Sequence, residues 1–249
     1  MNRLALIFGV VGVSGLLQLG VANAAAQPHW GYTGHGGPDS WGELSEKFHT
    51  CAAGVNQSPI DVSGSVEAKL PAIGFAYQGQ PREIVNNGHT VQVNVAPGSY
   101  ITVDGQQFEL KQYHFHTPSE NLIEGKQYPL EAHLVHADAR GNLAVVAVMF
   151  EQGSHNAVLA QLWDELPRHG GEQHALAAAP DLDALLPQDR SYYRFNGSLT
   201  TPPCSEGVRW LVLSQPLSID SAQVDAFAAA VHGHNNRPVQ PLHARIVLH

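Results

Sequence analysis

The sequence runs to 249 residues, 43% hydrophobic and only 14% charged, with a formal net charge of −9. Soluble domains average roughly 25% charged residues; a chain this apolar and charge-poor is not disordered, and its negative balance argues against nucleic-acid binding through phosphate contacts. Two cysteines are too few for a disulfide-dense miniprotein or a four-cysteine zinc site, whereas 15 histidines outnumber the 13 Lys and Arg combined.

Residues 1–24, MNRLALIFGVVGVSGLLQLGVANA, read as a secretory signal peptide. Arg3 supplies the positive start, Leu4 to Leu17 the apolar run, and Ala22-Asn23-Ala24 an A-x-A cleavage site, with Ala24-Ala25-Ala26 as a second option. The run falls short of the roughly 20 apolar residues a membrane-spanning helix needs. The expectation is export to the periplasm or beyond, with no membrane anchor after cleavage. In that oxidising setting Cys51 and Cys204 are expected to pair rather than stay as two buried thiols. Closing so long a loop contributes on the order of 4–5 kcal/mol in the chain-entropy model.

Residues 25–249 contain no linker, repeat or charge block and read as one domain. Alternation of polar and apolar residues predicts strands at 90–95, 112–116 and 130–135, with another at 209–213. The run 143–150 (LAVVAVMF) is continuous enough for a strand buried on both faces. Asp104-Gly105 and Gly141-Asn142 read as hairpin turns. Ser154 is expected to N-cap a helix carrying Leu159, Leu162, Trp163 and Leu166 and stopped at Pro167. Asp220 with Gln223 reads as a capping box before Val224, Phe227 and Val231. The fold class is therefore mainly β (α+β), one domain with a few peripheral helices.

Side chains two apart on a strand share a face, so His114 and His116 project together while Phe115 points away. His133, on the next predicted strand, is a third candidate. Three nitrogens plus an open position is the ligand set of a catalytic zinc. Gln112 and Glu131 each precede a histidine by two residues on the same face, where they can accept its second ring N–H. The spacing alone leaves open an ordinary half-buried pair, and His136 competes with His133. The protease signature H-E-x-x-H and the nucleophile elbow G-x-S-x-G are absent.

Ordered stretches from Trp30-Gly31-Tyr32 to Arg237-Pro238-Val239-Gln240-Pro241 resemble the alpha-class carbonic anhydrases of the bacterial exported type. They include Asn56-Gln57-Ser58-Pro59-Ile60, Asn86-Asn87-Gly88-His89, the two histidine strands, Ser119-Glu120 and Gly197-Ser198-Leu199-Thr200-Thr201-Pro202-Pro203. The resemblance implies a large, twisted, mostly antiparallel central sheet in a catalytic domain over 25–249. It implies Zn²⁺ on His114, His116 and His133, with Gln112, Glu131 and the backbone carbonyl of Asn235 as partners of those rings. It implies hydration of carbon dioxide to bicarbonate and a proton by a zinc-held hydroxide, which Thr200 orients by donating to Glu120. His89 matches the proton shuttle. Val135, Val145, Leu199, Val208 and Trp210 match the apolar substrate wall, and Tyr32, Asn87, Gln92 and Thr201 the polar wall. Cys51 and Cys204 match the bacterial disulfide, and Ser58-Pro59 and Pro202-Pro203 the cis bonds.

Three features depart from the animal pattern: the short Thr117-Pro118-Ser119 link, Gln92 where asparagine is commonest, and Phe195 where tyrosine is frequent. The partners expected are carbon dioxide and bicarbonate, with no nucleic acid, in a monomer or homodimer. The alternatives are a non-catalytic binding domain of the same fold and a zinc hydrolase of another substrate. The remaining histidines, His169, His174, His232 and His234 among them, read as solvated loop residues.

Overall fold

A computed structural model describes residues 29–178 and 180–249; the signal-peptide reading falls outside the described residues. Among the described residues, eleven strands make one sheet. Eight lie in the spatial order Gln173–Ala175, Pro81–Asn86, Val91–Val95, Gln106–His116, Leu130–Ala137, Leu143–Gln152, Glu206–Leu213, Tyr192–Ser198. Neighbours are antiparallel except that Glu206–Leu213 and the short Leu217–Ile219 run parallel to Leu143–Gln152. The Leu143–Gln152 strand is buried on both faces, as its apolar run predicts. Ala144, Val146, Val148 and Phe150 join one core cluster, while Val145, Ala147 and Met149 join another.

The strand predicted at 112–116 is the end of a longer one, Gln106–His116. Its first half carries Phe108 and Leu110 in the core, yet its second half buries Tyr113 and Phe115 there. Even-numbered residues give way to odd ones because the register against Leu130–Ala137 shifts between Leu110 and Gln112. One extra residue in a strand re-aims every side chain beyond it. Without the bulge, His114 and His116 would share a face with Leu110 and enter the apolar core.

The turn at Asp104-Gly105 is a two-residue hairpin, with Val103 paired to Gln106 and φ of 51° and 74°; both positions are left-handed, as a type I′ turn requires. The Gly141-Asn142 turn is longer than expected. Residues 138–142 make the connection, and Asp138 Oδ1 accepts from the backbone of both Arg140 and Asn142.

The helix predicted from Ser154 is Ala157–Trp163, and its cap is Asn156, whose side chain accepts from Leu159 N. Ser154 Oγ is instead hydrogen-bonded to Ser218 Oγ. Asp220 does cap Ser221–Ala230 by accepting from Gln223 N. The reciprocal arm of the box is diverted: Gln223 Oε1 accepts from Asn156 N and its Nε2 donates to Asn156 O. One buried amide thereby joins the starts of two helices that cover the same face of the sheet.

Cys51 and Cys204 form a disulfide, Cα–Cα 5.0 Å, across a separation of 153 residues. It packs with Trp41 and Phe48 in a small core beside Trp30 and Tyr32. Ser58-Pro59 and Pro202-Pro203 are cis, as is Thr117-Pro118, which the resemblance did not point to. No helix of the described residues is long and apolar enough to cross a membrane.

His136 is buried on the opposite face from His133 and pairs with the Tyr77 hydroxyl at 2.9 Å. Burial pushes its pKa from 6.5 to about 3. The folded state therefore binds fewer protons than the unfolded chain between these values, so stability is complete above pH 6.5 and falls as pH drops toward 3. At about 1.4 kcal/mol per pH unit, the His136 contribution falls by about 2–3 kcal/mol between pH 6.5 and 4.5. The stability gap between wild type and His136→Gln should narrow by that amount in urea unfolding at the two pH values. A gap that does not change with pH would show that His136 is not a buried neutral histidine.

Candidate metal centre

His114 lies directly opposite His133 in the antiparallel ladder, and His116 opposite Glu131. This register places three imidazoles on one face, with His114–His116 and His116–His133 ring centroids 5.0 and 4.6 Å apart. One ligand nitrogen from each ring lies within 4.8 Å of the others.

One nitrogen of two of the rings is already engaged. His114 Nδ1 donates to Gln112 Oε1 at 2.8 Å, and His116 Nδ1 to the carbonyl of Asn235 at 2.7 Å. His133 Nε2 sits 2.9 Å from Glu131 Oε1, close but poorly aligned for a hydrogen bond. The nitrogens left to converge are Nε2 of His114, Nε2 of His116 and Nδ1 of His133. His116 Nε2 is buried without a hydrogen-bond partner, and a buried nitrogen lone pair left alone is costly.

Burial also lowers the pKa of all three, so they stand as neutral imidazoles, the form a metal requires. Three neutral nitrogens, with the outer N–H of His114 and His116 fixed by hydrogen bonds and that of His133 beside Glu131, match a catalytic zinc site with an open fourth position. His136 stays outside the trio because it points the other way across the sheet.

Glu131 is buried, and its carboxylate accepts from Glu120 N at 2.7 Å, Asn121 N at 2.9 Å and Asn121 Nδ2 at 2.8 Å. Burial still raises its pKa. Glu120 Oε1 accepts from Arg237 N at 2.8 Å, while its Oε2 is buried without a hydrogen-bond partner; both the Arg237 N–H and the Thr200 hydroxyl favour the charged carboxylate. Glu120 Oε2 lies 3.5 Å from His116 Nε2. Burial pushes Glu120 well up, against the pull of these donors.

The cleft above the trio has a volume of about 420 Å³. Tyr32, Asn87, His89, Gln92 and Thr201 line it together with Trp30. Val135, Val145, Leu199, Val208 and Trp210 belong to one apolar cluster, with Trp210 edge-on to His133 at 4.9 Å. Gln92 donates to Asn94, which donates to Glu83, so its amide is tied back along the sheet. Phe195 is buried and stacks on Trp210. Lys111 pairs with Glu109 on the exposed face and does not line the cleft.

His89 is half-buried and stacks on Trp30, centroids 3.7 Å apart and planes at 4°. Burial, then nearby His29, lowers its pKa. Trp30 has no role in the sequence reading; its only signal there is a place in the Trp30-Gly31-Tyr32 stretch. Arg237 is the second residue missed. It is buried, donates to the Gln57 side chain and the Ser58 and Cys51 carbonyls, and has a pKa lowered to about 10 by burial.

Residues 36–249 match the eukaryotic-type carbonic anhydrase family. The chain belongs to that family, the alpha carbonic anhydrases. A carbonic anhydrase of Pectobacterium carotovorum is 47% identical over 228 residues, 92% of this chain and 93% of that one. One from Neisseria gonorrhoeae is 50% identical over 221 residues, 88% of this chain and 87% of that one. The solved alpha carbonic anhydrase of Thermovibrio ammonificans, with the inhibitor sulfanilamide, superposes with a TM-score of 0.88 at 46% identity, covering 90% of this chain and all of that one.

Proposed function

We propose that this enzyme hydrates carbon dioxide reversibly at a zinc ion held by His114, His116 and His133. The observation that carries the reading is the convergence of three neutral imidazole nitrogens at the base of a cleft, with the apolar cluster of Trp210 packed against His133. Zinc when bound acidifies a water, so that a nucleophile is available near neutral pH.

The chain's own residues then divide the work. Gln112, Glu131 and the Asn235 carbonyl fix each ring's orientation and tautomer. Thr200 donates its hydroxyl proton to Glu120, which leaves the Thr200 oxygen able only to accept from the attacking oxygen. A lone pair on that oxygen thus faces the substrate. The Arg237 N–H favours the anionic carboxylate that this orientation needs, opposing the effect of burial. The apolar wall of Val135, Val145, Leu199, Val208 and Trp210 suits a linear, uncharged substrate and gives bicarbonate no partner to stay for. Tyr32, Asn87, Gln92 and Thr201 offer the hydrogen-bonding groups that a chain of water requires.

His89, whose imidazole pKa burial lowers from its ordinary value near 6.5, carries the product proton from the cleft to bulk. His89→Ala should lower kcat by about 10²-fold in weak buffer, the lower end of general acid–base contributions, and added imidazole should restore it. Its kcat/KM should change little, because that parameter reports the hydration step. An equal fall in both parameters would remove His89 from proton transfer.

The reading as a whole is tested by stopped-flow carbon dioxide hydration on folded protein before and after chelation. Activity that is lost on chelation and restored by Zn²⁺ supports it. A folded, zinc-loaded protein without activity would favour the non-catalytic alternative, and hydrolysis of a polar substrate without hydration would favour the hydrolase. The disulfide, together with the signal-peptide reading of 1–24, supports an exported enzyme.

A further inference from the structure

The turn that presents His89 is pinned on every side. Asn87 Oδ1 accepts from His89 N at 2.9 Å and from Thr90 N at 3.0 Å. Asn86 is buried behind the turn, where its Nδ2 donates to Ala230 O at 2.8 Å and its Oδ1 accepts from Gly88 N at 3.0 Å. These contacts shape the turn and hold it to a helix end, but none of them sets its distance from the metal ligands.

Asn235 does. It is 1% exposed, and each of its polar groups has a partner. Its carbonyl accepts from His116 Nδ1 at 2.7 Å and its backbone N–H donates to Thr117 O at 3.1 Å. Its side-chain Oδ1 accepts from Thr117 N at 2.8 Å. The two donors of Nδ2 go to different places: one to Phe115 O at 3.0 Å, the other to His89 O at 3.1 Å. Phe115 lies between the two histidines of the ligand strand. A single amide nitrogen therefore clamps the main chain of His89 to the main chain of the metal-ligand strand. Thr90 Oγ1 makes a neighbouring link, donating to the same Phe115 carbonyl at 2.5 Å.

We propose that the side-chain amide of Asn235 is a positioning residue for proton transfer: it sets where His89 stands relative to the metal centre, separately from its backbone carbonyl, which orients His116. The inference rests on the reading of His89 as the shuttle. Its physical basis is the steep dependence of transfer on geometry. A misplacement of about 1 Å by a group remote from the chemistry can cost about 10²-fold. The Asn235 carbonyl survives any side-chain replacement, so the two roles can be separated.

The test is Asn235→Ala in the zinc-loaded protein. We expect kcat in weak buffer to fall about ten-fold, kcat/KM to stay within about two-fold, and imidazole to restore kcat. Zinc content should remain one per chain. Asn235→Asp keeps the volume and the acceptor for Thr117 but not the amide donors; it should show the same split, and it decides the matter if the alanine variant does not fold. A readout independent of turnover is the His89 ring proton resonance in metal-free protein. Stacking on Trp30 shifts it by the ring current, and it should move toward its unstacked position in either variant.

In the His89→Ala background, Asn235→Ala should lower kcat no further, because the residue acts through His89. A further ten-fold loss there would overturn the inference, as would a parallel fall in kcat and kcat/KM in the single variant, or no fall at all. If His89→Ala itself leaves kcat unchanged in weak buffer, it is the shuttle reading that fails, a result distinct from these.

Discussion

His114→Ala is expected to lower kcat/KM for carbon dioxide hydration by at least about three orders of magnitude. Lewis-acid activation by a metal is worth several kcal/mol of transition-state stabilisation, and each 1.36 kcal/mol is about ten-fold in rate. Two neutral imidazoles cannot replace a three-nitrogen site, so zinc content should fall with the activity. His114 is the most informative of the three for this purpose. It lies on the cleft wall, and its outer contact is a neutral amide, Gln112. Its loss strands no buried charge, whereas truncating His133 would leave the buried Glu131 without its ring partner. Gln112→Ala is the graded companion: an outer partner of a ligand typically contributes about 10–100-fold in affinity or activity. Zinc per chain by mass spectrometry and turnover by stopped flow would be read together. Near-complete activity and zinc content in His114→Ala would remove this trio from the metal site.

The second large effect concerns stability. Replacing both Cys51 and Cys204 with serine is expected to cost about 4–5 kcal/mol, because the bridge closes so long a loop in the unfolded chain. For a domain of this size that corresponds to a drop of about 10–20 °C in Tm. Disulfide variants often deliver less than the entropic figure, but here the bridge also packs into its own small core with Trp41 and Phe48. The segment it anchors is the one that carries Thr200. Cys204 N donates to Thr201 O at 2.8 Å, Cys204 O accepts from Gln57 Nε2 at 3.0 Å, and Leu199 N donates to Ser205 O at 3.0 Å. Those bonds persist in the serine variant, so kcat/KM at 25 °C should fall far less than stability does. Denaturant unfolding with and without reductant, paired with turnover, would check both halves. An unchanged midpoint would mean that the bridge adds nothing to stability.

Much of the fold could be read in the chain because strand signals are local. The run Leu143 to Phe150 read as a strand buried on both sides, and the Asp104-Gly105 pair as a tight turn between strands. The helix cap was misread at Ser154 because two hydroxyl or amide residues stood within one turn of each other. The choice between them was made from outside the helix: Ser218 engages Ser154, and Gln223 engages the backbone of Asn156. Capping rules describe one helix, and here two helix starts share one amide.

The candidate site was legible to a different degree at each residue. His114 and His116 share a face by the period of a strand, and Gln112 follows by the same rule. By spacing alone His133 and His136 could not be told apart, and only the family resemblance singled out His133. Trp30 and Arg237 gave no local signal, because their partners are distant in the chain. Trp30 meets His89, and Arg237 reaches back to Cys51, Gln57 and Ser58.

By itself, then, the sequence determined the class of fold, the two-residue spacing that pairs two histidines, and the donors and acceptors available to hold a metal and move a proton. Only the tertiary structure shows that His133 is on the same face as the pair, with His136 turned away, and where His89 stands. Two non-local facts account for this. The register shift between Leu110 and Gln112 reverses which residues face the core, and periodicity cannot locate a bulge, since each half of the strand alternates correctly on its own. The amide of Asn235 then joins His89 to the ligand strand across 146 residues of sequence, a contact that exists only after the sheet has formed.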